Sequence, residues 1–367
     1  MAKAKRLLIG SHRSSSGKSA TVLGLALNLQ AQGFTVAYGK PLGTFTTQTL
    51  PDFAEPMEAD VVFITQTLGL TKDLICPTLV NLDKNSVQQR LLGVDRRNYG
   101  AELQCYLSYT NADLVLVEAP ANTAEGALFG LSLRQMAEAL DAPILLVARY
   151  QSLLVVDHIL IAKKRLGDRL IGAVINDIPQ DQYADALRLI PPYLKAEGIP
   201  VLAILPENRI LRSVSVAELV NLLEATVLLC PDYINLAEVM IEDLKIGAMD
   251  VNSALLFFRQ SHNKAVVTGS SRVDLQLAAL ETSTNCLFLT GTPYVSEEVK
   301  HRAQELGVPV VAVNKDTLTT VGIIESSLGH VRLQEGIKVD IIRLMMREYF
   351  DFELLKQILD LPPKHSA

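Results

Sequence analysis

The feature that most constrains this chain is the stretch 10–19, Gly-Ser-His-Arg-Ser-Ser-Ser-Gly-Lys-Ser. Residues 6–10 lead into it as an apolar run of strand length. Residues 18–32 follow it with an apolar stripe at helical spacing. A strand that turns through small polar residues into a helix opening on Gly-Lys-Ser is the setting a phosphate-binding loop requires. Small residues let backbone N–H groups approach phosphate oxygens, and the helix N-terminus adds the positive end of its dipole. Lys18 is placed to reach terminal phosphates, and the Ser19 hydroxyl to ligate Mg2+. Gly10 stands seven positions before Gly17, so the usual GxxxxGK[ST] spacing is not met literally. A serine-rich turn ahead of a helix is the other reading of the same residues.

Around that junction the sequence supplies a sheet. Apolar runs at 34–38, 113–118, 143–147, 170–175 and 200–204 alternate with helical stretches. Runs that are continuous rather than alternating indicate burial on both faces, as in a parallel sheet. Their repetition with helices predicts a doubly wound α/β domain over 1–210. After a pause near 205–209, a second and smaller α/β domain is expected over 211–335. Its strands fall at 265–268, 286–290 and 309–313, and its helices at 272–280, 296–306 and 317–327. One amphipathic helix and a tail are expected over 336–367. A hydrophobic content of 49% provides a core for each half. The net charge of −6 argues against a nucleic-acid partner, because a phosphate backbone selects for a basic face. No apolar run approaches the roughly 20 residues that span a bilayer, so no membrane association is expected. Cys76, Cys105, Cys230 and Cys286 form no Cys-x-x-Cys pair and read as reduced thiols of a cytoplasmic protein.

Several polar residues fall where ligands bind such sheets. Glu118 ends a strand at the carboxyl edge; it reads as a Mg2+ ligand or as a solvated strand-end glutamate. Asp60 opens the helical stretch 60–69 and, on local grounds alone, reads as a helix cap. Lys40, in 39–43 (Gly-Lys-Pro-Leu-Gly), ends the second strand and faces either phosphate or solvent. Arg13, four residues before Gly17, reads as a bidentate phosphate donor, in cis or across a dimer interface, or as a solvent-facing loop arginine. His12 lies within the loop, and the remaining histidines show no metal spacing. In the second domain Thr268, Ser270, Ser271 and Arg272 follow one strand, Thr290 the next, and Asp316 and Thr317 the third. Small polar loops at neighbouring strand ends suit a ligand pocket, with Arg272 as charge partner to an anion. The same residue types are favoured at turns and N-caps.

Together these motifs resemble a known family. The stretch 10–19, then 38–43 (Tyr-Gly-Lys-Pro-Leu-Gly), 115–118 (Val-Leu-Val-Glu) and 172–176 (Gly-Ala-Val-Ile-Asn) is similar to the dethiobiotin synthetase and cobyrinic acid amide synthase family, P-loop proteins with an extended or deviant loop. The resemblance implies ATP and Mg2+ as cofactors. It implies Ser14, Ser15, Ser16, Gly17, Lys18 and Ser19 on the phosphates, and Ser19, Asp60 and Glu118 near the metal. It implies Lys40 near the transferred phosphate and Asn176 beside the adenine. Stretches 246–249, 266–280, 289–291 and 315–320 resemble the DRTGG domain, which implies a second bound nucleotide or metabolite. Ser271 stands where that family's pattern has an acidic residue. The two domains in this order resemble the N-terminal regulatory region of long bacterial phosphate acetyltransferases. With no room for the acetyltransferase domain, acetyl transfer itself is not expected.

The implied function is a cytoplasmic, ATP- and Mg2+-binding regulatory protein, at most a slow ATPase. It senses a nucleotide and a second small ligand, forms a homo-oligomer and is read by a partner enzyme, with acetyl-phosphate metabolism as the context by analogy. The alternative is an ATP-dependent ligase or synthetase acting on a carboxylate or amine, with Lys18, Lys40 and Arg13 stabilising the transferring phosphoryl group. Ala-Pro-Ala-Asn after Glu118 replaces the glycine-rich run such an enzyme is expected to have.

Overall fold

A computed structural model describes residues 4–43, 47–48, 57–109, 111–328 and 336–364. They form two compact units, Met1–Glu207 with Lys338–Ala367, and Asn208–Ile337. Among the described residues no helix is long and apolar enough to cross a membrane.

The first unit is built on seven strands, β1 (Lys5–Ser11), β2 (Val36–Gly39), β3 (Ile75–Cys76), β4 (Leu114–Glu118), β5 (Ile144–Arg149), β6 (Leu170–Ile178) and β7 (Val201–Pro206). Their order is β7-β6-β5-β1-β4-β2-β3, and every pairing is parallel. Leu7, Leu8 and Ile9 of β1, like the apolar residues of β4 and β5, are wholly buried, which explains their continuous apolar runs. β1 lies between β4 and β5, while the strand that follows it in the chain lies beyond β4. That reversal of order opens a crevice at the carboxyl ends of β1 and β4, where open α/β sheets bind ligands. Helix α1 (Lys18–Ala31) leaves β1 there, and α2 (Ala59–Thr67) and α3 (Val155–Leu166) also frame the site.

The C-terminal segment differs from the single helix expected for it. It forms two helices, 336–349 and 352–359, and residues 338–367 belong to the first unit. Asn28 of α1 donates its amide to the Arg343 carbonyl at 3.0 Å, and Asp351 N donates to Leu202 O at 2.8 Å. Ile342 and Met346 are buried against Gly24, whose missing side chain leaves the space Met346 fills. Amphipathic spacing announces a buried stripe but not the surface that covers it.

The second unit holds β8 (Thr226–Leu229), β9 (Asp243–Gly247), β10 (Lys264–Gly269), β11 (Thr284–Thr290) and β12 (Val310–Val313). Their order is β8-β12-β11-β10-β9, parallel except for β8. The three central strands match the apolar runs. The edge strands β8 and β9 were not anticipated: β8 is exposed at its first two residues and offers only the short run Val-Leu-Leu, and β9 is half-exposed and mixes charged with apolar residues. Helix α4 (Val273–Leu280) follows β10, and α5 (Thr317–Ser327) follows β12.

Candidate functional site

The loop between β1 and α1 is held by its own polar groups. Gly17 adopts φ +96°, a left-handed conformation that favours glycine, and a Cβ there would overlap the Asn176 amide nitrogen. Asn176, on β6, donates that amide to the Ser16 carbonyl at 3.0 Å. It therefore ties down the loop backbone, a role the resemblance did not imply for it. Ser14 and Ser15 stand exposed at the tip, while Ser16 is buried and donates its hydroxyl to Arg13 O at 2.9 Å. Lys18 is buried and donates to Ser11 Oγ at 3.0 Å. Burial lowers its pKa, which Glu118 opposes. Arg13 is turned back on the loop, its Nε donating to His12 Nε2 at 3.0 Å. The His12 ring stacks on His158 of α3, centroids 4.7 Å apart. Burial, then the neighbouring charges of His158 and Arg13, hold the His12 pKa at about 4.

Beside the loop lies a second set of groups. Ser19 donates its hydroxyl to Glu118 Oε1 at 2.7 Å, and Tyr38 donates to Glu118 Oε2 at 3.0 Å. Both oxygens of this buried carboxylate are thereby oriented. Lys40 Nζ pairs with Glu58 Oε1 at 2.5 Å, with 8% and 0% of the two side chains exposed. Burial alone would lower the Lys40 pKa, but Glu118, then Glu58 and Asp60, outweigh it and keep the ammonium charged. Asp60 is not the cap of α2 that its local sequence suggested. It is the second residue of the helix, and Glu58 occupies the N-cap position without a capping bond, because its carboxylate is on Lys40.

The residues present fit a nucleotide and Mg2+. The glycine cradle, the buried lysine and the start of α1 suit phosphates, and a hydroxyl beside a carboxylate supplies the hard oxygen donors Mg2+ prefers. Among the described residues no group of three or more His, Cys, Asp or Glu side chains could hold a metal. A Mg2+ here would depend on phosphate oxygens and water, as it usually does.

Glu58 and Tyr38 were not foreseen as part of the site. Nothing in Met-Glu-Ala-Asp at 57–60 marks Glu58 as buried; only its pairing across the fold does. Tyr38 carried a weak signal, a polar-tipped residue just before Gly39-Lys40 at a strand end.

In the second unit the strand-end loops of β10, β11 and β12 do meet. Ser270 N donates to Thr290 O at 3.0 Å, and the hydroxyls of Thr290 and Thr317 lie 2.8 Å apart. Thr268 is wholly buried and its hydroxyl donates to Gly247 O at 3.0 Å. Ser271 is exposed. Two residues expected to face a ligand are engaged elsewhere. Arg272 spans the Asp274 carboxylate, at 3.0 and 2.9 Å, and also donates to Met249 O. Asp316 caps α5, accepting from Thr319 N at 2.9 Å and from its hydroxyl at 2.6 Å. Gln276, unforeseen because it sits in the apolar run of α4, is wholly buried and ties the loop down by donating to Gly269 O at 3.0 Å and Ser270 O at 3.1 Å.

The AAA domain family model matches residues 5–215, more than half of the chain. The chain belongs to this family. The DRTGG domain model matches residues 218–327, so a P-loop-type α/β domain is followed by a DRTGG domain. Among solved structures, one that aligns is the CBS and DRTGG domains of the regulatory region of a Clostridium perfringens pyrophosphatase, complexed with its activator diadenosine tetraphosphate. It is 14% identical over 47% of this chain and 85% of its own, with a TM-score of 0.29. Chloroplast FtsY from Physcomitrella patens aligns at 14% identity over 56% of this chain, with a TM-score of 0.36. The match spans 59% of the FtsY chain, less than two thirds of its length. The MinD cell division protein of Aquifex aeolicus aligns at 13% identity over 56% of this chain and 83% of its own, with a TM-score of 0.35.

Proposed function

We propose that the first unit binds a nucleoside triphosphate with Mg2+, that the second binds a further small anionic ligand, and that a partner enzyme reads their joint occupancy. The observation that carries the reading is the cradle at Gly17-Lys18-Ser19, with the Ser19 hydroxyl already directed at the Glu118 carboxylate at 2.7 Å. Ser14 to Ser19 would take the phosphates, Ser19, Glu118 and Asp60 the metal, and Lys18 and Lys40 the terminal charge. When bound, Mg2+ would supply charge neutralisation at the phosphates. In the second unit Ser270, Thr290 and Thr317 offer hydroxyls and Thr268 lines the floor. Arg272 would join only by leaving Asp274. A nucleotide or acyl phosphate fits this set, and acetyl-phosphate metabolism is the context the domain order suggests. A homo-oligomer is the expected assembly.

The test is a ligand-stabilisation screen of the whole chain, because a ligand that binds the folded state raises the melting temperature. ATP with Mg2+, ADP, acetyl phosphate and diadenosine tetraphosphate make the panel. ATP should stabilise the wild type and not Lys18→Ala. Equal stabilisation of both would sink the reading.

One observation favours an ATP-dependent ligase instead: Lys40, charged and buried with Glu58, resembles a group kept dry for phosphoryl transfer. Phosphate release stimulated strongly by an amine or carboxylate substrate would establish that alternative. Slow release indifferent to added substrates would dismiss it.

A further inference from the structure

Glu58 and Lys40 lie 18 residues apart in the chain and meet inside the first unit at 2.5 Å. Glu58 occupies the N-cap position of α2 yet makes no capping bond. Its carboxylate, wholly buried, is given over to the ammonium instead. Of the other carboxylates whose charge acts on Lys40, Glu118 and Asp60, Glu118 is engaged elsewhere, accepting from Ser19 and Tyr38. Glu58 is the carboxylate in direct hydrogen-bond contact with Lys40. A terminal phosphate brought to Lys40 offers the same charge, and it meets the charge of Glu58 across one ammonium. Two anions competing for one cation in a buried site repel each other with little solvent screening.

We propose that Glu58 is a positioning residue that competes with the terminal phosphate for Lys40, so that the site answers to the number of phosphates on its ligand. This rests on the triphosphate-binding reading above. A triphosphate reaches Lys40 and displaces Glu58, whereas a diphosphate is too short and leaves the pair intact. Glu58 thus sets a threshold. It weakens triphosphate binding in return for a rearrangement at the start of α2 that only the longer ligand causes.

Calorimetric titration of ATP and ADP into the whole chain tests this, comparing wild type, Glu58→Gln, Lys40→Met and the double variant. Removing the competing charge should tighten ATP binding by about tenfold, the effect of about 1.4 kcal/mol, and change ADP binding much less. In the Lys40→Met background Glu58→Gln should give no gain. Unchanged or weaker ATP binding by Glu58→Gln overturns the proposal, as does an equal gain for ADP or a gain that persists without Lys40. Losing one partner of a buried pair destabilises a fold, so Glu58→Asp, which keeps the charge on a shorter arm, is measured alongside. It should tighten ATP by an intermediate amount, and wild-type affinity there counts against the proposal. A wild type that binds neither nucleotide removes the triphosphate reading and this inference with it. A wild type that binds while Glu58→Gln matches it removes this inference alone.

Discussion

Gly17→Ala is the perturbation that probes the loop most directly. Two costs can be read from the structure. Gly17 sits at φ +96°, where a side chain strains the backbone by roughly 1–2 kcal/mol. The new methyl also overlaps the Asn176 amide and expels it from the Ser16 carbonyl, 3.0 Å away, which loses about 1 kcal/mol. The variant should therefore lose about 2–3 kcal/mol, and the melting midpoint of the first unit should fall by roughly 5–10 °C. Asn176→Ala alone should lose only the hydrogen bond, about 1 kcal/mol. Because that bond can be lost only once, the double variant should fall short of the sum of the singles by about 1 kcal/mol, a coupling that a double-mutant cycle resolves. Hydrogen exchange of α1 amides assigns the loss to this unit rather than the other. Additive singles, or a Gly17→Ala variant as stable as wild type, would refute the idea that Gly17 and Asn176 form one anchor. Triphosphate affinity should fall in both singles, since each releases the loop backbone that receives the phosphates.

Other expectations follow from neighbouring contacts. Tyr38→Phe removes the donor to Glu118 Oε2; titration should show Mg2+-dependent triphosphate affinity falling roughly tenfold, the loss of one bond to a charged group, while metal-free affinity stays put. Gly24→Ala gains about 1 kcal/mol of helix propensity but overlaps Met346 Cγ. Overpacking of about 1–3 kcal/mol should outweigh the gain, seen as faster proteolysis of the C-terminal helices and reversed in the double variant with Met346→Ala. The His12 pKa is about 4 in the folded chain against an ordinary 6.5, so the unfolded chain binds the extra proton between those values. This contribution to stability is complete above pH 6.5 and is lost as pH falls through about 4. The melting midpoint of His12→Phe, which keeps a ring against His158, should lose less over that window than the wild type. Parallel curves would show that His12 does not titrate there.

Fold class was legible because buried parallel strands leave a signature that needs no partner: Leu7 to Ile9 and the apolar residues of β4 and β5 must be apolar on both faces. The edge strands left a weaker one, since Asp243–Gly247 is half-exposed along its first four residues and mixes charge with apolar residues, and Thr226–Leu229 offers only three apolar residues in a row. The loop chemistry was legible through Gly17-Lys18-Ser19, which lie side by side in the chain. What escaped was every role fixed by a distant residue. Glu58 acquires its role from Lys40, Tyr38 from Glu118, and Gln276 from the Gly269 and Ser270 carbonyls. The same distance in sequence hid a property of the site as a whole. Four of its polar side chains already have internal partners: Lys18 with Ser11, Ser19 with Glu118, Lys40 with Glu58, Asn176 with Ser16. A phosphate ligand entering such a site exchanges contacts rather than filling unpaired ones. Its net affinity is the difference between two satisfied states, so it is modest per contact. The displaced partner of Lys40, Glu58 at the start of α2, must find a new position. A site that binds by exchange moves its surroundings when it fills, and that is the physical requirement for a loop that reports occupancy as well as holding a nucleotide.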